Sequence, residues 1–161
     1  MKGIKDNSPI VYYIFLSGFL LFSSCNNKTK KKEEKNSTSQ IEIKLPDSLQ
    51  MNTEMEGEII YRSDFDTVRL KNGEKRYIYL YLSEGDSPLS DFRELKKQEM
   101  DTFVPINDEH LIPVYNIVFE KSGKKFINGV LVDQIFKNEE EGNVKITTLE
   151  TKVIHPIVIY D

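Results

Sequence analysis

From residue 41 onward, apolar and polar positions alternate with a period of two, the spacing of a half-buried β-strand rather than of a helix. "IEIKL" (Ile41 to Leu45) alternates and halts at Pro46. "GEIIY" (Gly57 to Tyr61) and "DTVRL" (Asp66 to Leu70) read as further strands leading to a turn at Asn72-Gly73. The clearest strand follows in "RYIYLYLSEG", with Tyr77, Tyr79 and Tyr81 on one face and Ile78, Leu80 and Leu82 on the other. "VYNIVFE" and "KFINGVLVDQIF" flank Lys121-Ser122-Gly123-Lys124, which reads as a short hairpin loop. "NEEEGN" (Asn138 to Asn143) precedes "VKITTLET", which leads into "KVIHPIVIY". β-Branched and aromatic residues crowd these runs, as a pleated surface prefers.

One segment breaks the pattern. From Ser90, "SDFRELKKQEM" places Phe92 and Leu95 at helical spacing, with Glu99 or Met100 next in line and Ser90 placed to cap the first turn. Several closely spaced strands and one helix predict a mainly β fold. The expected architecture is an antiparallel β-sandwich or partly closed barrel, with one short helix near residues 90–100 packed at an edge or end. A domain of about 120 residues is large enough for one core.

Charge divides the chain in two. Residues 41–161 hold 15 basic and 23 acidic residues, a balance of −8, whereas the whole chain stands at −4. An acidic domain repels phosphate backbones, so nucleic acid is not an expected partner. Cationic proteins, polyamines or divalent cations suit it better, through a weak field effect. Residues 26–40, "NNKTKKKEEKNSTSQ", contain no apolar side chain and set five lysines against two glutamates. Such a segment cannot repay the entropy of ordering and reads as a tether whose reach is on the order of 20 Å. Its basic balance either attracts anionic lipid headgroups or serves only to keep the spacer solvated.

Upstream lie Lys2 and Lys5, an apolar stretch from Ile10 to Phe22, then Ser23, Ser24 and Cys25, the only cysteine in the chain. A short positive region, an apolar region and small residues before a cleavage point are the parts of a secretory signal. The apolar run is shorter than the roughly 20 residues of a transmembrane helix. The stretch resembles the signal peptides of bacterial lipoproteins, whose lipobox ends in small residues and a cysteine. Phe22, Ser23, Ser24 and Cys25 occupy those positions, with phenylalanine standing where that family usually has leucine. The resemblance covers about the first 25 residues. It implies that residues 1–24 are removed, that Cys25 carries the lipid, and that the protein is held in the cell envelope, at the outer membrane. Residues 25–40 are then the tether and 41–161 the domain. A lone cysteine makes no internal disulfide.

Candidate chemistry in the domain is sparse. No G-x-S-x-G turn is present, and the histidines are His110 and His155. His155, within "VIHPIVIY", reads as structural. His110 closes "NDEH", which is either a solvated loop or a set of oxygen and imidazole ligands; zinc spacings such as C-x-x-C or H-E-x-x-H are absent. "SDFD" (Ser63 to Asp66) is either a polar bend or a fragment of a calcium loop. "SGKK" lacks the spacing and context of a phosphate loop. Neither metal nor cofactor is expected, and no catalytic set. The binding candidates are Tyr77, Tyr79 and Tyr81. They form either a platform for sugar rings or a partner's apolar side chains, or a covered outer layer beneath the helix. The expected protein is a lipid-anchored, non-enzymatic module for a protein or glycan partner. Two further readings are an acidic inhibitor of a cationic enzyme and, third, an enzyme using scattered carboxylates.

Overall fold

The computed structural model describes residues 38–106, 110–139 and 142–161. The expected signal region, Cys25 and residues 26–37 of the expected tether lie outside that range, as do Asn107, Asp108 and Glu109 of the "NDEH" loop. The last residues of the expected tether belong instead to the domain, since Ser39 and Gln40 pair with Ser63 and Arg62 in the first strand. The described residues are mainly β, and their two sheets form a sandwich-like, partly closed barrel with one short α-helix.

The strands are β1 (Ser39–Lys44), β2 (Ser48–Gln50), β3 (Glu54–Ser63), β4 (Lys75–Gly85), β5 (Asp101–Phe103), β6 (Leu111–Val118), β7 (Gly123–Asn138) and β8 (Val144–Tyr160). A three-stranded antiparallel sheet has the order β1-β3-β6. A five-stranded sheet has the order β2-β8-β7-β4-β5 and is antiparallel except where β2 runs parallel to β8. The core lies between them. Met55, Ile59 and Tyr61 point inward from β3, Ile78, Leu80 and Leu82 from β4, and Ile127 and Leu131 from β7. Each buried aliphatic side chain contributes about 1.5–3 kcal/mol, so these inward rows hold the layers together.

Two expectations about the strands are corrected. The hairpin across Lys121–Lys124 does not form, because β6 belongs to the smaller sheet and β7 to the larger. β7 is buried on both faces from Ile127 to Leu131: the core covers one face and the helix Phe92–Leu95 packs toward the other, while β4 and β8 pair with its two edges. The segment after β6 therefore crosses between sheets. Second, Asp66–Leu70 is not a strand. Ser63 caps a 3₁₀ turn over Asp64–Thr67, in which its side chain accepts from Phe65 N–H and Asp66 accepts from Ser63 N–H. Such local side-chain bonds compete successfully with sheet pairing. "VKITTLET" leads into "KVIHPIVIY" without a break, as one strand of 17 residues in register with β7 from Val144–Asn138 to Ile159–Gly123. Pro156 is tolerated because β2 meets β8 only from Val158 to Tyr160, leaving no neighbour that needs its missing N–H.

The helix, α1 (Phe92–Leu95), falls within the expected segment but is capped by Asp91 rather than Ser90; Asp91 Oδ1 accepts from Arg93 N–H at 2.8 Å. Leu95 is fully buried and Lys96 pairs with Glu150 at 2.7 Å, which fastens the helix to the outer face of the larger sheet. Lys152 lies over the Phe92 ring and donates to Ser90 O. In β6 an extra residue bulges the strand, and Asn116 takes φ 62°, a left-handed conformation asparagine accepts more readily than most residues.

Candidate functional site

β4 organises two polar features, one on each face. Its even-numbered positions continue the inward row, so Arg76 enters the space between the sheets beyond Ile78. There it meets Asp133, on the inward face of β7 and fully buried. Arg76 Nε donates to Asp133 Oδ1 at 2.9 Å and Nη2 to Oδ2 at 2.7 Å, a bidentate pair. Arg76 Nη1 reaches Asp66 Oδ1 at 2.7 Å. From β3, Tyr61 OH and Ser63 Oγ donate to Asp133 Oδ2 at 3.1 and 2.9 Å. The cluster thus ties the 3₁₀ turn and both sheets together. Among the described residues no buried side-chain nitrogen or oxygen lacks a partner, which is the condition for a buried charge to be tolerated.

The electrostatics of the cluster follow from that enclosure. Burial pushes the Tyr61 phenol well above its usual value, and the charge of Asp133 adds to the effect. Burial works against the charge on Arg76, but its bonds to Asp133 and Asp66 outweigh it and hold the guanidinium protonated. Burial likewise opposes ionisation of Asp66, yet Ser63 N–H and Arg76 overcome it and draw the carboxyl below the usual aspartate range. Chemically the group is a staple. Ser63 Oγ donates a hydrogen bond to Asp133 and accepts from Phe65 N–H and Arg76, so the bonds that engage it are structural ones.

The odd-numbered positions of β4 face outward. Tyr77 and Tyr79 stack with ring centres 6.2 Å apart, and Tyr79 and Tyr81 with centres 6.1 Å apart. Phe136 extends the row, meeting Tyr77 edge-on at 5.4 Å. Tyr77 is exposed, and Tyr79 and Tyr81 are half-buried. Across the sheet, Gln134 and Thr148 stand level with Tyr77 and are joined by a 3.3 Å hydrogen bond, while Glu150 stands level with Tyr79 across Val132. Ile146, opposite Phe136, is 53% exposed. The face is therefore aromatic and aliphatic at its open end and polar toward α1.

Beside the row lies a cleft of about 320 Å³, lined by Arg76, Tyr77, Ile78, Tyr79, Val104 and Pro105. Inward-facing and outward-facing residues of β4 both line it, so it follows the edge of the strand and not one face. It exists because β5 is short. β5 pairs with β4 only at Leu80–Leu82, and after Phe103 the chain passes through Val104 to Pro105, which has no N–H to continue the ladder.

The other sequence candidates take structural places. His155 Nε2 lies 3.0 Å from Pro46 O and secures the corner between β1 and β2. His110 Nδ1 lies 3.1 Å from Tyr61 O and 3.8 Å from Asp66 Oδ2, near the rim of the staple. Asp64 and Asp66 of "SDFD" do not converge: Asp66 turns to Arg76, while Asp64 Oδ2 accepts from Thr38 N–H. No group of three acidic, histidine or cysteine residues poised for a metal occurs among the described residues. Sequence reading passed over Arg76 and Asp133. The available signal was a charged residue on the inward parity of an apolar strand, which demands an opposite charge across the core. The chain matches no known protein family, curated protein or solved structure in the three comparisons made.

Proposed function

We propose that this protein is a lipid-anchored, non-enzymatic binding module of the bacterial cell envelope, which holds a protein or glycan partner at the tyrosine row of β4. The observation that carries the reading is the row itself: three near-parallel tyrosines from Tyr81 to Tyr77 with Phe136 edge-on at the end, open to solvent at Tyr77 and bordering a cleft. Tyrosine joins apolar area to a polar tip at low conformational cost, and contiguous apolar surface on a sheet marks interaction sites. The attachment through Cys25 rests on the lipobox resemblance alone.

The test begins with affinity capture of the anchored protein from its own membranes and identification of the partner. Tyr79→Ala should then weaken binding of the purified partner about tenfold or more, equivalent to about 1.4 kcal/mol, with the circular dichroism unchanged. Undiminished affinity would remove the row from the site. The balance of −8 over residues 41–161 favours a second reading, an inhibitor that neutralises a cationic enzyme. Under it the association weakens steeply with added salt and with acidic-to-neutral substitutions; salt-independent binding counts against it.

A further inference from the structure

We infer that the site recognises its partner by strand addition: an extended segment of a partner polypeptide pairs with the open edge of β4 at Tyr77–Tyr79 and seats side chains in the adjoining cleft. This rests on the binding-module reading above and gives it a mode. β4 is an 11-residue strand paired along its whole length with β7, yet on its other side β5 covers only Leu80–Leu82. Successive residues of a strand direct their N–H and C=O groups to opposite edges. Over Tyr77, Ile78 and Tyr79, at least one residue therefore presents both groups to the open side, where the described strands supply no partner.

The occupant follows from what this edge needs. A row of alternating donors and acceptors at strand spacing is matched by another backbone, and a glycan has no such ladder. Side chains projecting from an added strand would alternate between the tyrosine row and the space beside Ile78, and the cleft wall at Val104, 46% exposed, supplies apolar contact. A second copy of this chain is disfavoured, because each domain carries −8 and like fields oppose docking. A foreign segment carrying basic residues gains from the same field. Natural edges are usually blunted by charge, proline or a covering loop. Here β5 stops at Phe103, and among the described strands none pairs with β4 beyond it, while Val104 and Pro105 wall the cleft beside the edge.

Random dodecapeptides displayed on phage and selected on the full chain supply the probe, and the best binder is then synthesised. Strand addition predicts that this peptide slows hydrogen exchange at least tenfold at the open-side amides among Tyr77–Tyr79. N-methylation of alternate peptide amides should cut its affinity at least tenfold in one register and spare it when shifted by one residue. Val104→Arg, at a half-exposed position that fills the cleft, should lower affinity about tenfold with the circular dichroism unchanged. Unchanged exchange at Tyr77–Tyr79, or indifference to N-methylation in both registers, overturns strand addition. Self-association of the full chain through this edge overturns the foreign occupant. Tyr81 stands in the row but not in the cleft, and separates the two readings. A captured partner that is weakened by Tyr81→Ala, yet is indifferent to Val104→Arg and leaves exchange unchanged, keeps the binding module and removes the edge. If neither a peptide nor a partner binds at all, both fall.

Discussion

Asp133 is a single charged side chain in the apolar run "VLVDQIF", and its cost is met by four donated hydrogen bonds, from Arg76 Nε and Nη2, Tyr61 OH and Ser63 Oγ. Removing one partner of a buried ion pair leaves the other uncompensated, which costs about 3–5 kcal/mol. Asp133→Ala leaves Arg76 with Asp66 alone and strips Tyr61 OH and Ser63 Oγ of their acceptor, so it is expected to lower unfolding free energy by about 3 kcal/mol in urea titrations, a large part of a small domain's margin. The neighbouring groups set the pH limits. Asp66 titrates below its ordinary 3.8 in the folded state, so its contribution is complete above about pH 4 and drains away as pH falls through the folded value. Asp66→Asn should be less stable at neutral pH and show a shallower loss in acid titrations. Tyr61 has the opposite sign. Its folded value lies above 10.0, so its contribution is complete below pH 10 and is lost as pH rises beyond it. Tyr61→Phe should cost about 1–2 kcal/mol at neutral pH and flatten the alkaline limb of the stability curve. Arg76 and Asp133 stand 57 positions apart, and no local pattern announces that they meet.

The strand pattern identifies β4 and much of β7, and its parity separates Tyr77, Tyr79 and Tyr81 from Ile78, Leu80 and Leu82. What parity leaves open is the pairing partner. β6 and β7 are joined by a turn that reads as a hairpin, but their partners are β3 and β4, and that choice was made by burial. β7 needs cover on both faces and accepts a glycine at its centre to obtain it. A Cβ on Gly129 would lie 2.4 Å from Tyr81 O and 2.5 Å from Leu82 Cδ2, so the two strands can pack only with glycine there. Gly129→Ala is expected to cost about 1–3 kcal/mol, read as a fall in thermal midpoint, through strain at the β4–β7 pair. α1 shows a similar division. Phe92 and Leu95 marked the helix in the sequence, whereas its short length and its seat on the outer face depend on Lys96–Glu150 and on Lys152 beneath Phe92. The row of tyrosines is neither fully covered nor fully bare, because α1 lies toward Lys152 and Glu150 and leaves the Tyr77 end open.

At the scale of the whole molecule, the lipobox resemblance and the basic stretch after it lead us to propose an address and a tether ahead of the domain. Cys25→Ala should abolish incorporation of labelled fatty acid and cleavage before residue 25; labelling that survives would refute the lipobox reading. If the attachment holds, the basic tether sets the acidic domain on the order of 20 Å from the headgroups. An edge able to accept an extended segment would then face partners that are themselves confined to the envelope, and confinement raises effective concentration without any new contact.

Alternation, β-branched composition and turn residues were enough to determine that this is a β protein with one short helix, because strand geometry is written in a period of two. They also placed the tyrosines on one face. Only the tertiary structure decided which strands pair, that Asp66 and Asp133 share one guanidinium, and that β5 ends early enough to leave part of β4 open. Those outcomes depend on contacts between residues distant in the chain. They are selected by burial on both faces and by the cost of an unpaired buried charge, neither of which leaves a local signature.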